Sequence, residues 1–127
     1  MTHVITLPWP PSLNNNIRHN RGGHHLSERH KAFRESASGA IYHQVGLPRR
    51  PCGRCRIAIE LTPPSTAKRD IDNYIKPILD VLVLTRVLGG DDTKFVQEIR
   101  VSCIDKTVKG GSCLVRIEEL KQPAATE

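Results

Sequence analysis

Asp70, Asp72 and Asp80 lie together in KRDIDNYIKPILD (Lys68–Asp80), although the chain as a whole carries 19 Lys and Arg against 13 Asp and Glu, a formal net charge of +6. Carboxylates this close repel one another unless something positive sits between them. A lysine or arginine can fill that place, and so can a metal ion. Each acid also has an ordinary structural use. Asp is a favoured helix N-cap and suits the positive end of a helix dipole. An Asp72–Lys76–Asp80 ladder at i, i+4, i+8 would make a common solvated helix face. A second acidic pair, Asp91–Asp92, follows Gly89–Gly90, where Asp readily serves a turn. If the intervening helix packs on a sheet, the loop after it can return toward the first acids.

The chemistry that suits such an arrangement is phosphodiester hydrolysis. Hard Mg²⁺ prefers carboxylate oxygens and keeps several waters, so two or three Asp suffice to hold it. The ion would polarise the phosphoryl oxygen and stabilise the leaving oxygen. Lys76, beside the carboxylates, could neutralise charge that develops in the transition state or orient the attacking water. The neighbourhood is basic: Arg49, Arg50, Arg54, Arg56, Lys68 and Arg69 meet only one acid, Glu60. Such a run, and Lys68–Arg69 next to the acids above all, can hold phosphates in register. Arg18 and Arg21, in the loop IRHNRGGHH, are further candidates for phosphate contact or are plain solvated cations.

The elements that must position these groups are legible in the pattern. A chain of 127 residues suits one domain, and with only 4% aromatic residues its core must be built from Ile, Leu, Val and Ala. Residues 1–120 read as that domain and 121–127 as a frayed tail. THVITLP reads as a strand stopped by prolines, and a polar, basic loop follows. Ser27 as N-cap, Phe33, Ala37, Ala40 and Ile41 at helical spacing and Gly46 as stop predict a helix over 28–45. RIAIEL (Arg56–Leu61) predicts a strand. Ile71, Tyr74, Ile75, Ile78, Leu79 and Leu82 form one apolar helical stripe, with Pro77 requiring a kink or a late helix start. FVQEIRVSCI and CLVRIEEL predict two strands, joined across KGGS by a hairpin turn. The class is α+β, in the order β-α-β-α-β-β, a small mixed sheet packed by two helices.

Other signals are weaker. Cys52 and Cys55 form a C-x-x-C, with Cys103 and Cys113 downstream, and four cysteines could ligate zinc. The second pair is widely spaced, however, and both its members fall on apolar strand faces, where a free Cys behaves as a small hydrophobe. No helix start follows the C-x-x-C to support redox chemistry. His24 and His25 suit a DNA-facing loop or plain solvent exposure better than metal ligation. Trp9, between prolines, suits a core or dimer contact better than base stacking. No apolar run is long enough for a membrane span, and the N-terminus does not read as a secretion signal; the expected location is the cytoplasm, with reduced cysteines.

Two stretches taken together, ITLPWPPSLNNNIRHNRGGHHLS and KRDIDNYIKPILD followed by GGDD, resemble the RusA family of Holliday junction resolvases, and the resemblance runs from Ile5 to Leu120. It implies a small homodimer, of bacterial or phage origin, that uses Mg²⁺ (with Mn²⁺ able to substitute) to cut branched, four-way DNA by paired symmetric nicks in recombination and repair. It further implies that Asp70, Asp72 and Asp92 bind the metal and that Lys76 is catalytic. The segment before the late acids is slightly longer than the family spacing, so Asp91 stands as the alternative to Asp92. Pro77 is unexpected in the family's active-site helix. A C2 dimer would present two identical sites to a substrate of near-twofold symmetry. The rival reading is a non-catalytic DNA-binding module, zinc-stabilised or not, in which the acids only cap and solvate a helix.

Overall fold

The computed structural model describes residues 2–13, 17–20, 23–47 and 50–121, with the backbone alone for 17–20 and 23–26. Its main sheet has four strands: β1 (Thr2–Leu7), β4 (Cys55–Thr62), β5 (Val96–Cys103) and β6 (Ser112–Glu119). They lie in the order β1-β6-β4-β5. β6 is antiparallel to both β1 and β4, and β5 runs parallel to β4, so the sheet is mixed as expected. The parallel pair follows from the intervening helix α2 (Ile75–Leu84), because parallel neighbours need a crossover connection.

The period-2 pattern of the strands sends one set of side chains inward. Ile5 and Leu7 of β1, Ile57, Ile59 and Leu61 of β4, and Cys113, Val115 and Ile117 of β6 are buried on one face. Two helices cover that face. In α1 (Glu28–Val45), Phe33, Ala37 and Ile41 are buried. The Ser27 hydroxyl accepts from the His30 N–H at 3.3 Å, and the Gly46 N–H, at a φ of 76°, donates to the Tyr42 carbonyl, so both ends close as the sequence predicts. In α2, Ile78, Leu79, Val81 and Leu82 are buried.

Three expectations are corrected. β5 and β6 do not form a hairpin: β4 lies between them, and the KGGS turn, with Gly110 and Gly111 at positive φ, leads the chain past the end of β4 instead. Part of the loop after β1 is regular, a two-stranded antiparallel ribbon of β2 (Ile17–Asn20) and β3 (Gly23–Leu26). Cys103 is exposed, because β5 is an edge strand that the helix layer leaves open along most of its length. The tail expected over 121–127 lies, from Gln122 on, outside the described residues.

Pro77 is accommodated by a late start. Ile71–Tyr74 form a 3₁₀ turn, and α2 begins only at Ile75, so Pro77 sits in the first turn, where an N–H is not needed. The tighter turn also rotates Ile71 out of the apolar stripe, and it is exposed.

Core and open face should respond differently to truncation. Ile117→Ala, at a fully buried position, should cost about 2–5 kcal/mol in urea unfolding. Val4→Ala, at a half-exposed position, should stay within about 0.5 kcal/mol.

Candidate active site

The 3₁₀ turn carries Asp70 at its N-cap and Asp72 in its first turn. Asp70 makes no side-chain capping hydrogen bond, so the ordinary explanation for an acid at this position does not apply. Both acids are exposed, and among the described residues neither carboxylate has a hydrogen-bond or ion-pair partner. The backbone closes the turn instead, through Asn73 N–H to the Asp70 carbonyl at 3.1 Å.

Lys76, one turn on, holds the other acids. Its Nζ lies 3.0 Å from Asp80 Oδ1 along the helix and 2.7 Å from Asp91 Oδ2 in the loop after α2. The loop therefore does return to the first acidic segment. These bonds raise the Lys76 pKa, the Asp91 bond more than the Asp80 bond, and the same contact lowers that of Asp91. The Asp92 carboxylate is used differently. Its Oδ1 accepts from the Lys94 N–H at 2.9 Å and closes the next turn. Lys76 and Asp91 are therefore adjacent, and Asp92 is engaged in the loop itself.

Two neighbours fix that loop. Phe95 lies against Gly89 and Gly90, where an added Cβ would come within 2.5 Å and 2.7 Å of the ring, so only glycine permits this packing. On the other side Cys52 runs beside Leu88, with Cys52 N–H bonded to the Val87 carbonyl and Gly89 N–H to the Cys52 carbonyl. The C-x-x-C segment thus braces the chain that enters the acidic loop.

Beside Asp70 an open cavity of about 540 Å³ is lined by Ser12, Lys68, Arg69, Asp70, Asn73 and Tyr74. Arg69 is shaped for it. Its guanidinium bonds the Ser65 and Ala67 carbonyls, each at 2.9 Å, and lies 5.5 Å from the Trp9 ring centre. Trp9 packs on Tyr74 with ring centres 5.1 Å apart. Sequence reasoning assigned Trp9 to a packing role, which this supports, but it missed Ser12 and Tyr74. The signal was present in the WPPS stretch and in the apolar stripe, without any indication that the two would meet.

The predicted basic run divides. Lys68 and Arg69 border the cavity. Arg50 pairs with Glu119 at 2.9 Å, and Arg56 pairs with Glu98 and Glu118 at 3.3 Å and 3.9 Å. Arg49 and Arg21 lie outside the described residues, and Arg18 is described only as backbone in β2. The side chains of His24 and His25 are likewise outside them.

The four cysteines do not converge. Cys55 opens β4, whereas Cys103 and Cys113 both lie opposite Leu61 at its far end, roughly 20 Å away at 3.3 Å per residue. Burial raises the thiol pKa of Cys55 to about 11 and that of Cys113 to about 12, which keeps them protonated. Among the described residues no group of three His, Cys, Asp or Glu side chains is gathered at metal-holding distance. Asp70 and Asp72 nonetheless suit a hard divalent cation: both are oxygen donors, exposed and unbonded, and such an ion completes its shell with water.

A small α+β domain that sets partnerless carboxylates beside lysine and arginine has the make-up of an enzyme acting on a polyanion. The family model described as Endodeoxyribonuclease RusA matches residues 8–118. The chain is 37% identical over 122 residues to the Crossover junction endodeoxyribonuclease RusA of Escherichia coli O139:H28, covering 94% of this chain and 96% of that protein. It is 36% identical over the same length, with the same coverage, to the proteins of that name in Escherichia coli K12 and Enterobacteria phage 82. The chain belongs to the RusA endodeoxyribonuclease family.

The Lys76–Asp91 contact predicts a titration. Asp91 has a lowered pKa, so its contribution to stability is present above the ordinary carboxyl value of 3.8 and is lost as the pH falls through the depressed one. Lys76 has a raised pKa, so its contribution is present below 10.5 and is lost above that. The pair is intact between those limits. Carbon-detected NMR should show the Asp91 carboxyl titrating below 3.8, and moving back toward it in Lys76→Ala.

Proposed function

We propose that this chain is an endodeoxyribonuclease that resolves four-way (Holliday) junctions by hydrolysing phosphodiester bonds, in the recombination and repair of bacterial or phage DNA in the cytoplasm. The observation that carries this reading is the pair Asp70 and Asp72, held exposed on one 3₁₀ turn and used neither as caps nor in ion pairs. Family membership supports it over a non-catalytic DNA-binding module. The cysteine layout counts against a zinc-stabilised one.

In this reading Asp70 and Asp72 hold a divalent cation, with Mg²⁺ the expected ion and Mn²⁺ able to substitute. The third carboxylate is Asp91, favoured over Asp92 by its contact with Lys76. When bound, the cation supplies Lewis-acid polarisation of the scissile phosphate. Lys76 orients Asp91 and offers positive charge where the phosphoryl oxygens gain negative charge. Lys68 and Arg69 bind phosphate beside Asp70, with the guanidinium plane fixed by Trp9 and the Ser65–Ala67 backbone. Arg18 and Arg21 are proposed as further phosphate contacts on the strength of their charge alone. Such binding reads backbone and shape, and its strength should fall steeply with salt. A homodimer would supply the two opposed sites that paired nicks require. No helix of the described residues is long and apolar enough to cross a membrane.

The test is cleavage of a synthetic four-way junction with Mg²⁺, beside linear duplex. The chain should place paired, symmetric nicks in the junction alone, and Asp72→Asn should lower the rate about a hundredfold or more while still binding the junction. Unchanged cutting by Asp72→Asn would remove the acids from the mechanism. Binding without any cutting by the native chain would favour the binding module.

A further inference from the structure

His30 takes no part in the candidate active site, and its surroundings do not suit a titratable ring. It lies in the first turn of α1 and is 6% exposed. Its Nε2 is the one buried side-chain nitrogen or oxygen among the described residues that has no hydrogen-bond partner. A buried orphan of this kind needs a physical reason. The other ring nitrogen, Nδ1, lies 2.9 Å from the hydroxyl of Ser27, the N-cap of the helix. The same hydroxyl accepts from the His30 backbone N–H, so one serine ties the ring to the closing of the first turn.

The ring is placed to stay neutral. Burial is the main cause that holds its pKa below 6.5, and Arg34 and then Arg29, on the same helix, push it further down. The positive end of the helix dipole disfavours a cation there as well. Against them stands Asp80 of α2, whose charge raises the pKa but which Lys76 already holds at 3.0 Å. Glu28, in the same turn, is exposed and pairs with Lys31 at 3.5 Å. β1 also packs on α1, and its one titratable side chain, His3, is not among the groups that act on the ring. A second proton would therefore put a buried cation beside two arginines, with an Nε2–H that nothing accepts.

The first turn supports more than itself. Arg29, Ala32 and Phe33 of α1 line a cavity of about 320 Å³ together with Pro8, Trp9 and Pro11. The Arg69 guanidinium lies over the Trp9 ring, 5.5 Å from its centre. We propose that His30 is an acid-sensitive switch at the start of α1. Neutral, the buried ring keeps the first turn closed. Charged, it opens that turn and slackens the support that Trp9 gives Arg69. The switch lies outside the acidic turn and does not depend on the reaction assigned to it.

The neutral ring's contribution to stability is fully present above 6.5 and is lost as the pH falls from there toward the depressed value. The test is NMR on the full chain, following ring nitrogens and backbone amides between about pH 7 and pH 5, beside His30→Leu and His30→Gln. Gln keeps a partner for Ser27 without a charge, and so serves if Leu fails to fold. In wild type the His30 ring should titrate below 6.5. Over that range the amides of His30 and Lys31, which bond the Ser27 carbonyl, should lose exchange protection severalfold. The emission of Trp9, the only tryptophan, should shift with them. Both signals should stay level in the neutral variants. A His30 ring that titrates at or above 6.5 would overturn the switch. Equal loss of protection in wild type and variants would overturn it too. Protection lost with Trp9 emission unchanged would overturn the link to Arg69.

Discussion

The ammonium of Lys76 joins two parts of the chain that the sequence keeps apart. It bonds Asp80 on its own helix and Asp91 in the loop beyond, at 3.0 Å and 2.7 Å. An exposed ion pair of this kind adds little to global stability. Its consequence is positional. One cation sets the acidic loop against the segment that carries Asp70 and Asp72. It satisfies Asp80 and Asp91 and leaves Asp70 and Asp72 without a partner. The close approach of Phe95 to Gly89 and Gly90 and the Cys52–Leu88 bridge hold the same loop from its other sides. A motif that looks like a string of acids thus holds two kinds, Asp80 and Asp91 bonded to lysine and Asp70 and Asp72 without a side-chain partner among the described residues, with Asp91 placed by its lysine to join the second pair in the proposed site.

This division answers why so basic a chain gathers carboxylates here. Repulsion between Asp80 and Asp91 is relieved by Lys76. Repulsion between Asp70 and Asp72 is relieved only by their exposure to water, and a bound divalent ion would relieve it further. Of the nearby cations, Arg69 is held by the Ser65–Ala67 backbone and the Trp9 face, Arg50 and Arg56 pair with Glu119, Glu98 and Glu118, and Lys68 lines the same cavity as Asp70 without an ion pair to it.

Much of the fold was legible in the residue pattern. Helix α1 was bounded by Ser27 and Gly46, whose chemistry is local, and the strands around Ile57, Ile99 and Ile117 followed from alternation. The pairing of those strands was not legible. KGGS is a good turn in either topology, and nothing within it tells that β4 will insert between β5 and β6. Exposure of Cys103 follows from the same fact, since an apolar-face position on an edge strand need not be covered. The roles of Asp91 and Asp92 were likewise undecided, because the two are adjacent and differ only in which direction the turn sends each side chain. The layout of Trp9 on Tyr74 depends on contacts between segments far apart in sequence, which spacing cannot show.

The proposed metal site depends most on Asp91, not Asp92, standing with Asp70 and Asp72. The most direct measurement is the cleavage rate of a four-way junction at saturating Mg²⁺ by Asp91→Asn and by Asp92→Asn, each checked for native stability. Loss of about a hundredfold or more in Asp91→Asn, with Asp92→Asn within about tenfold of the native rate, is the predicted result. The reverse order would contradict it, and would mean that the Lys76–Asp91 pair only anchors the loop while Asp92 turns to meet the substrate.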